Sequence, residues 1–175
     1  FVGGGKEKAR AQADALLKLN PVKAHWVYAR IAEKNSDAAT AEREYRAALA
    51  ASNNGAQGWL YMAAFYRNGK RWQDMEDAVQ KVAAAPDGDC DTWLDGASLL
   101  LRAGRNFPLA VELAKRCIAP GKSTEENPLF KAHTLLGQLY EKQGDRKTAA
   151  DEYRSALALA RNFRPAQEGL KRAAH

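Results

Sequence analysis

A chain of 175 residues can bury a continuous core without disulfides or metals to hold it. Its 27 basic and 21 acidic residues leave a net charge of +6, with both signs mixed along the chain and no lysine or arginine block. Alanine is abundant, β-branched residues are sparse and no strand alternation is visible, so the composition reads as nearly all helical. The longest apolar runs, such as Leu99-Leu100-Leu101, fall far short of the ~20 residues a bilayer span requires. The chain opens on Phe1 rather than Met, so the expectation is a fragment or processed product whose leader, if any, is lost from view.

In chain order, "GGGKEKARAQADALLKLNP" places Ala9, Ala13 and Leu16 on one helical face, with Pro21 expected to close the segment. A repeated pair of helices follows. His25, Tyr28, Ala29 and Ala32 recur 34 residues later as Trp59, Met62, Ala63 and Tyr66, and 34 residues after that as Trp93, Gly96, Ala97 and Leu100. The fourth set, His133, Leu136, Gly137 and Tyr140, arrives after 40 residues, so six extra residues lie in the link "APGKSTEENPLF". The second helix of each pair carries Ala41, Tyr45 and Ala48; Met75, Val79 and Val82; Ala110, Ala114 and Cys117; and Ala149, Tyr153 and Ala156. Two antiparallel helices approach closely only where a small side chain on one meets a large one on the other. Gly137 and its alanine counterparts Ala29, Ala63 and Ala97 are therefore expected to be docking notches, with Gly104 and Gly144 ending first helices in left-handed turns. In the link, Asn127 is expected to cap the next helix and Pro128 to begin it. Pro165 is placed to open a short last helix with Ala166, Leu170 and Ala173 on one side and Lys171, Arg172 and His175 on the other.

Residues 133–153 carry the best match to a W-x2-L-G-x2-Y…A-x3-F pattern, with His133 at the tryptophan position and Tyr153 at the phenylalanine. On those residues the chain resembles the tetratricopeptide repeat (TPR) family, and a bacterial member of it. Departures are local: Gly69 comes one residue early in its turn, "RNFPLA" carries one extra residue, and the closing proline is displaced in several units. The resemblance implies an all-α, right-handed superhelical solenoid of antiparallel hairpins. Its expected units are residues 1–21 as the second helix of a truncated repeat, hairpins at 22–55, 56–89, 90–129 with the extended link, and 130–163, and a capping helix at 164–175.

Candidates for chemistry are few. "VGGGK" at 2–6 lacks the spacing and the Ser/Thr of a phosphate-binding loop, since Glu7 follows Lys6, and it reads as a turn. His25 and His133 stand at packing positions and are expected to be structural. Trp59, Trp72 and Trp93 are read as core. No Cys/His spacing suits zinc and no nucleophile has a supporting motif, so neither enzyme activity nor a cofactor is expected. Nucleic acid is disfavoured as a partner, because the basic residues form no stripe interleaved with aromatics.

The resemblance implies that the first helices line a concave groove that receives a protein or peptide partner. The inward positions would be Lys23, Trp26, Arg30, Glu33 and Lys34; Gln57, Leu60, Ala64, Arg67 and Asn68; Asp91, Leu94, Ser98, Leu101 and Arg102; and Lys131, Thr134, Gln138, Glu141 and Lys142. Seven are basic and three acidic, and Trp26, Leu60, Leu94 and Leu101 would supply an apolar floor, so the expected partner segment has apolar anchors and acidic neighbours. The family's carboxylate clamp is absent, since the matching positions hold Trp26, Arg30, Tyr61, Asp91 and Asp95. The alternative is a structural spacer or accessory subunit of a bacterial envelope export or secretion assembly. Self-association through an uncapped N-terminal end is a further expectation. Cys90 opens one helix and Cys117 nearly ends the next, so the hairpin can bring them together. They are either a disulfide or a free thiol beside a small packing residue, and the compartment, cytoplasmic or periplasmic, turns to periplasmic if they are bonded.

Overall fold

The computed structural model describes residues 4–119 and 122–174, with the backbone alone at Gly4 and Lys6. Val2 and Gly3 of the glycine-rich opening, Pro120 and Gly121 of the link, and the terminal His175 lie outside the described residues. Among the described residues every regular element is a helix. Two compact units are present, 1–87 and 88–175. The first holds α1 (Gly4–Leu16), α2 (Pro21–Lys34), α3 (Ala38–Ala51), α4 (Ala56–Asn68) and α5 (Trp72–Ala84); the second holds α6 (Cys90–Ala103), α7 (Phe107–Ile118), α8 (Leu129–Lys142), α9 (Arg146–Leu159) and α10 (Arg164–Ala173).

In the first unit α2 pairs with α3 and α4 with α5, α1 packs on α2, and α3 on α4. In the second, α6 pairs with α7 and α8 with α9, while α7 packs on α8 and α10 closes over α9 and α8. All four hairpin turns are built alike. The left-handed residue is Ser36, Lys70, Gly104 or Gly144, with φ of 59°, 56°, 67° and 82°. The amide after it returns to a first-helix carbonyl: Asp37 to Ala32, Arg71 to Tyr66, Arg105 to Leu100 and Asp145 to Tyr140. This pairing satisfies carbonyls the helix end would otherwise leave open. It also explains the early glycine: Gly69 has an ordinary φ of −79°, and the left-handed conformation falls on Lys70. Asp37 and Asp145 then accept from the Thr40 and Thr148 amides at 3.0 Å and start the second helices.

The notch at Gly137 meets Tyr153. A Cβ there would sit 2.6 Å from Tyr153 Cε1, and a Cβ on Gly169 of α10 would meet the same ring, so the fully buried tyrosine lies between two glycines on different helices. The hydroxyl escapes burial without a partner by donating to Glu141 at 2.7 Å. The first unit repeats the arrangement, with Tyr45 donating to Glu33 at 2.8 Å. Likewise His25 and His133 are half-buried, each with Nδ1 against a second-helix glutamate, Glu44 at 2.9 Å and Glu152 at 2.7 Å. In the two middle hairpins the tryptophans Trp59 and Trp93 take that place, and the matching second-helix positions are the apolar, buried Ala78 and Leu113. Position-by-position exchange of His/Glu for Trp/apolar thus keeps one packing geometry with two chemistries.

Two boundaries differ from the sequence expectation. Pro21 does not close the opening segment but is the first residue of α2, capped by the Asn20 side chain on the Lys23 amide at 3.0 Å. A proline fits there because that amide has no intrahelical partner to lose. In the link, Pro128 rather than Asn127 holds the cap position and α8 begins at Leu129. Asn127 is otherwise engaged: its side-chain amide and the Thr124 hydroxyl both donate to Asp91 at 2.7 Å, and the Asn127 amide donates to Thr124 Oγ1 at 2.9 Å.

Candidate functional site

The first-helix face of each unit can be assembled from these elements. In the first unit Trp26 of α2 lies against Tyr61 of α4, ring centroids 5.8 Å apart and tilted by 36°. Arg30 pairs with Glu33 at 2.9 Å, and Glu33 also receives Tyr45 and, at 3.2 Å, the Asn68 side-chain amide. The expected cation is therefore already partnered. Lys34 is exposed, and Arg67 donates to Asn68 Oδ1 at 3.2 Å. Leu60 does not floor a groove: it is only 6% exposed and belongs to the core. In the second unit Leu94 is 4% exposed, yet it still borders a recess on the first-helix side.

The second unit gathers more of the predicted residues. A depression of about 650 Å³ is lined by Leu101 and Arg102 of α6, Gln138, Glu141 and Lys142 of α8, and Arg172 of α10. Three cations meet one carboxylate there. Arg172 makes a two-pronged contact with Glu141 at 2.8 and 3.1 Å, and this bond, opposed by partial burial and reinforced by the Tyr153 hydroxyl, holds the Glu141 carboxyl below its ordinary range. Burial and the bond to Glu141 push the Tyr153 phenol up, so it stays protonated and donating. Arg102 and Lys142 have no ion-pair partner among the described residues. Beside this depression a recess of about 270 Å³ is formed by residues that include Asp95, Ser98, Asn127, Lys131, Gln138 and Phe163. Partial burial and the nearby Asp91 push the Asp95 carboxyl up. Gln138 borders both hollows.

Sequence reasoning missed Arg172, which it placed on the solvent side of the last helix, and Tyr61, which it treated only as an absent clamp position. It also missed a depression of about 480 Å³ over α1, α2 and α3, where Tyr28 donates to Asp14 and His25 faces Glu44. Each depends on residues brought together from separate helices. Among the described residues no group of three or more His, Cys, Asp or Glu side chains is placed to hold a metal, and no helix is long and apolar enough to cross a membrane. The structure joins Cys90 and Cys117, both buried, in a disulfide with Cα atoms 4.8 Å apart.

No family model matches the sequence, and no curated protein matches it. Solved structures do. The C-terminal part of a TPR repeat-containing protein from Cytophaga hutchinsonii is 17% identical with a TM-score of 0.68, matched over 97% of this chain and 65% of that one. YrrB, described as a TPR protein with an unusual peptide-binding site, is 15% identical with a TM-score of 0.65 over 95% of this chain and 84% of its own. MamA is 17% identical with a TM-score of 0.63 over 87% and 80% of the two chains. At these identities the likeness is one of backbone architecture, and in architecture this chain is a tetratricopeptide-like repeat protein.

Proposed function

We propose that the chain is a non-enzymatic scaffold that binds a segment of a protein partner on its first-helix face. The observation that carries the reading is the depression of the second unit, where the unpaired Arg102 and Lys142 stand beside the apolar Leu101 and the amide of Gln138. Two cations without an ion-pair contact among the described residues, next to an apolar anchor site, suit an aliphatic or aromatic residue with an aspartate or glutamate next to it. In the first unit the Trp26–Tyr61 pair offers a second, aromatic contact. YrrB, similar in fold, is described as having a peptide-binding site, which supports a peptide as the class of ligand.

The test is selection of binders from a random peptide display library on the intact chain, followed by affinity measurement for Trp26→Ala and Arg102→Glu/Lys142→Glu. Selected peptides should be enriched in acidic residues flanking an apolar one. Their affinity should fall with added salt, because exposed charges are screened over ~8–10 Å, and fall again in both variants. Affinity unchanged in both variants but abolished by Arg43→Glu on the opposite side of the hairpins would refute the assignment. A spacer without binding function would yield no reproducible peptide motif.

A further inference from the structure

The last turn of α7 and residues 122–128, which lead into α8, are both held by the start of α6. Cys117, in the last turn of α7 just before the link, is bonded to Cys90, the first residue of α6. Asp91, the next residue, takes the Thr124 hydroxyl and the Asn127 side-chain amide, each at 2.7 Å. The link also closes on itself, Thr124 amide to Asn127 carbonyl at 3.3 Å and Asn127 amide to Thr124 Oγ1 at 2.9 Å. Cys90 Sγ lies 3.6 Å from that same Asn127 carbonyl, a contact that becomes a hydrogen bond only when the sulfur carries a proton.

We propose that the Cys90–Cys117 pair is a redox latch for the Thr124–Asn127 turn that leads into α8. Reduction by a dithiol delivers two electrons and two protons, cleaves the sulfur–sulfur bond to two thiols and leaves the reductant as a disulfide. Two unbonded sulfurs need more room than a bonded pair, and both sites are 1% exposed or less. Reduction therefore moves the last turn of α7 away from the start of α6 and turns the Cys90 thiol towards the Asn127 carbonyl, which competes with the Thr124 amide for that oxygen. Asn127 and Lys131 line the recess that also holds Asp95, so the latch sets the shape of one end of the first-helix face. That last consequence rests on the partner-binding reading; the latch itself does not.

Hydrogen exchange on the full chain, oxidised and reduced, is the test, after thiol alkylation and mass measurement establish the state of each sample. On reduction the hydrogen-bonded amides of Thr124 and Asn127 should lose about tenfold or more in protection while those of α9 stay unchanged. Cys117→Ala, which restores the alanine that Ala48 and Ala156 supply in other hairpins, should match the reduced protein with or without reductant. Asp91→Ala should loosen the link with the bond intact. Two free thiols after air oxidation, equal exchange of the Thr124 and Asn127 amides in both states, or loss of protection spread evenly through the unit would each overturn the latch. Loss of peptide binding without a change in link exchange would instead count against the partner-binding reading alone.

Discussion

Replacing Gly137 by alanine adds one methyl group, and the surroundings determine its cost. The new Cβ would lie 2.6, 2.8 and 2.9 Å from Cε1, Cδ1 and Cζ of Tyr153, well inside contact distance. A free ring would tilt away. This one is held from the other side by Gly169, where a Cβ would also collide with it, and at its tip by the hydroxyl bond to Glu141 at 2.7 Å. The cost therefore belongs at the upper end of the overpacking range, about 3 kcal/mol. Alanine recovers about 1 kcal/mol through better helix propensity, leaving a net loss of about 2 kcal/mol. For a chain of this size that corresponds to a fall in Tm of roughly 4–8 °C, measurable by circular dichroism. Gly137→Leu should be worse. Gly169→Ala should cost a comparable amount, and the double variant should cost less than the two together because both press on one ring. A Gly137→Ala protein as stable as the parent would remove the glycine from its role as a notch.

Lys70→Gly should raise stability by about 0.5–1 kcal/mol in urea titration, since it relieves a left-handed lysine while loosening the unfolded chain; Gly69→Ala, with φ of −79° and its nearest neighbour 3.7 Å away, should be close to neutral. A destabilised Lys70→Gly protein would mean that the lysine side chain matters more than the turn. The Glu141 carboxyl is depressed below its ordinary value of 4.5 in the folded state, so the stability it contributes is present above about that pH and lost as pH falls through the lower folded value. Exchange of α10 amides should accordingly rise below about pH 4.5, and Glu141→Gln should remove the dependence; an acid response that survives the substitution would assign it elsewhere. His133→Trp should destabilise the fourth hairpin by about 1–3 kcal/mol, because the half-buried Glu152 loses its partner. Adding Glu152→Leu, which recreates the apolar pairing of the middle hairpins, should recover at least half of that in thermal denaturation. No recovery would show that the two solutions are not interchangeable.

What could be read from the sequence is what repeats. The small residues Ala29, Ala63, Ala97 and Gly137 recur in all four hairpins and the left-handed turn glycines 104 and 144 in two of them, and both reflect constraints within a single hairpin. The pattern even located the turn at Lys70, where the glycine itself had slipped by one position. What was not legible depends on single contacts between distant residues. Arg172 reaches Glu141 across 31 positions, Asp91 receives Asn127 across 36, and Asn68 reaches Glu33 across 35. Nothing in local periodicity marks such partners. Leu60 shows the opposite case, where a pattern that assigns a face to a position says nothing of how deeply the neighbouring helix covers it.

The last helix serves two ends at once. Its Gly169 leaves space for the Tyr153 ring, and its Arg172, three residues on, forms a wall of the charged depression. Ten residues thus carry both the seal of the interior and one wall of a charged hollow. A change on one is felt by the other: a substitution at Arg172 that alters the charge of the hollow must leave Gly169 untouched. Conversely, grafting a different terminal helix with the same glycine and a new residue at 172 would re-charge the hollow without reopening the core.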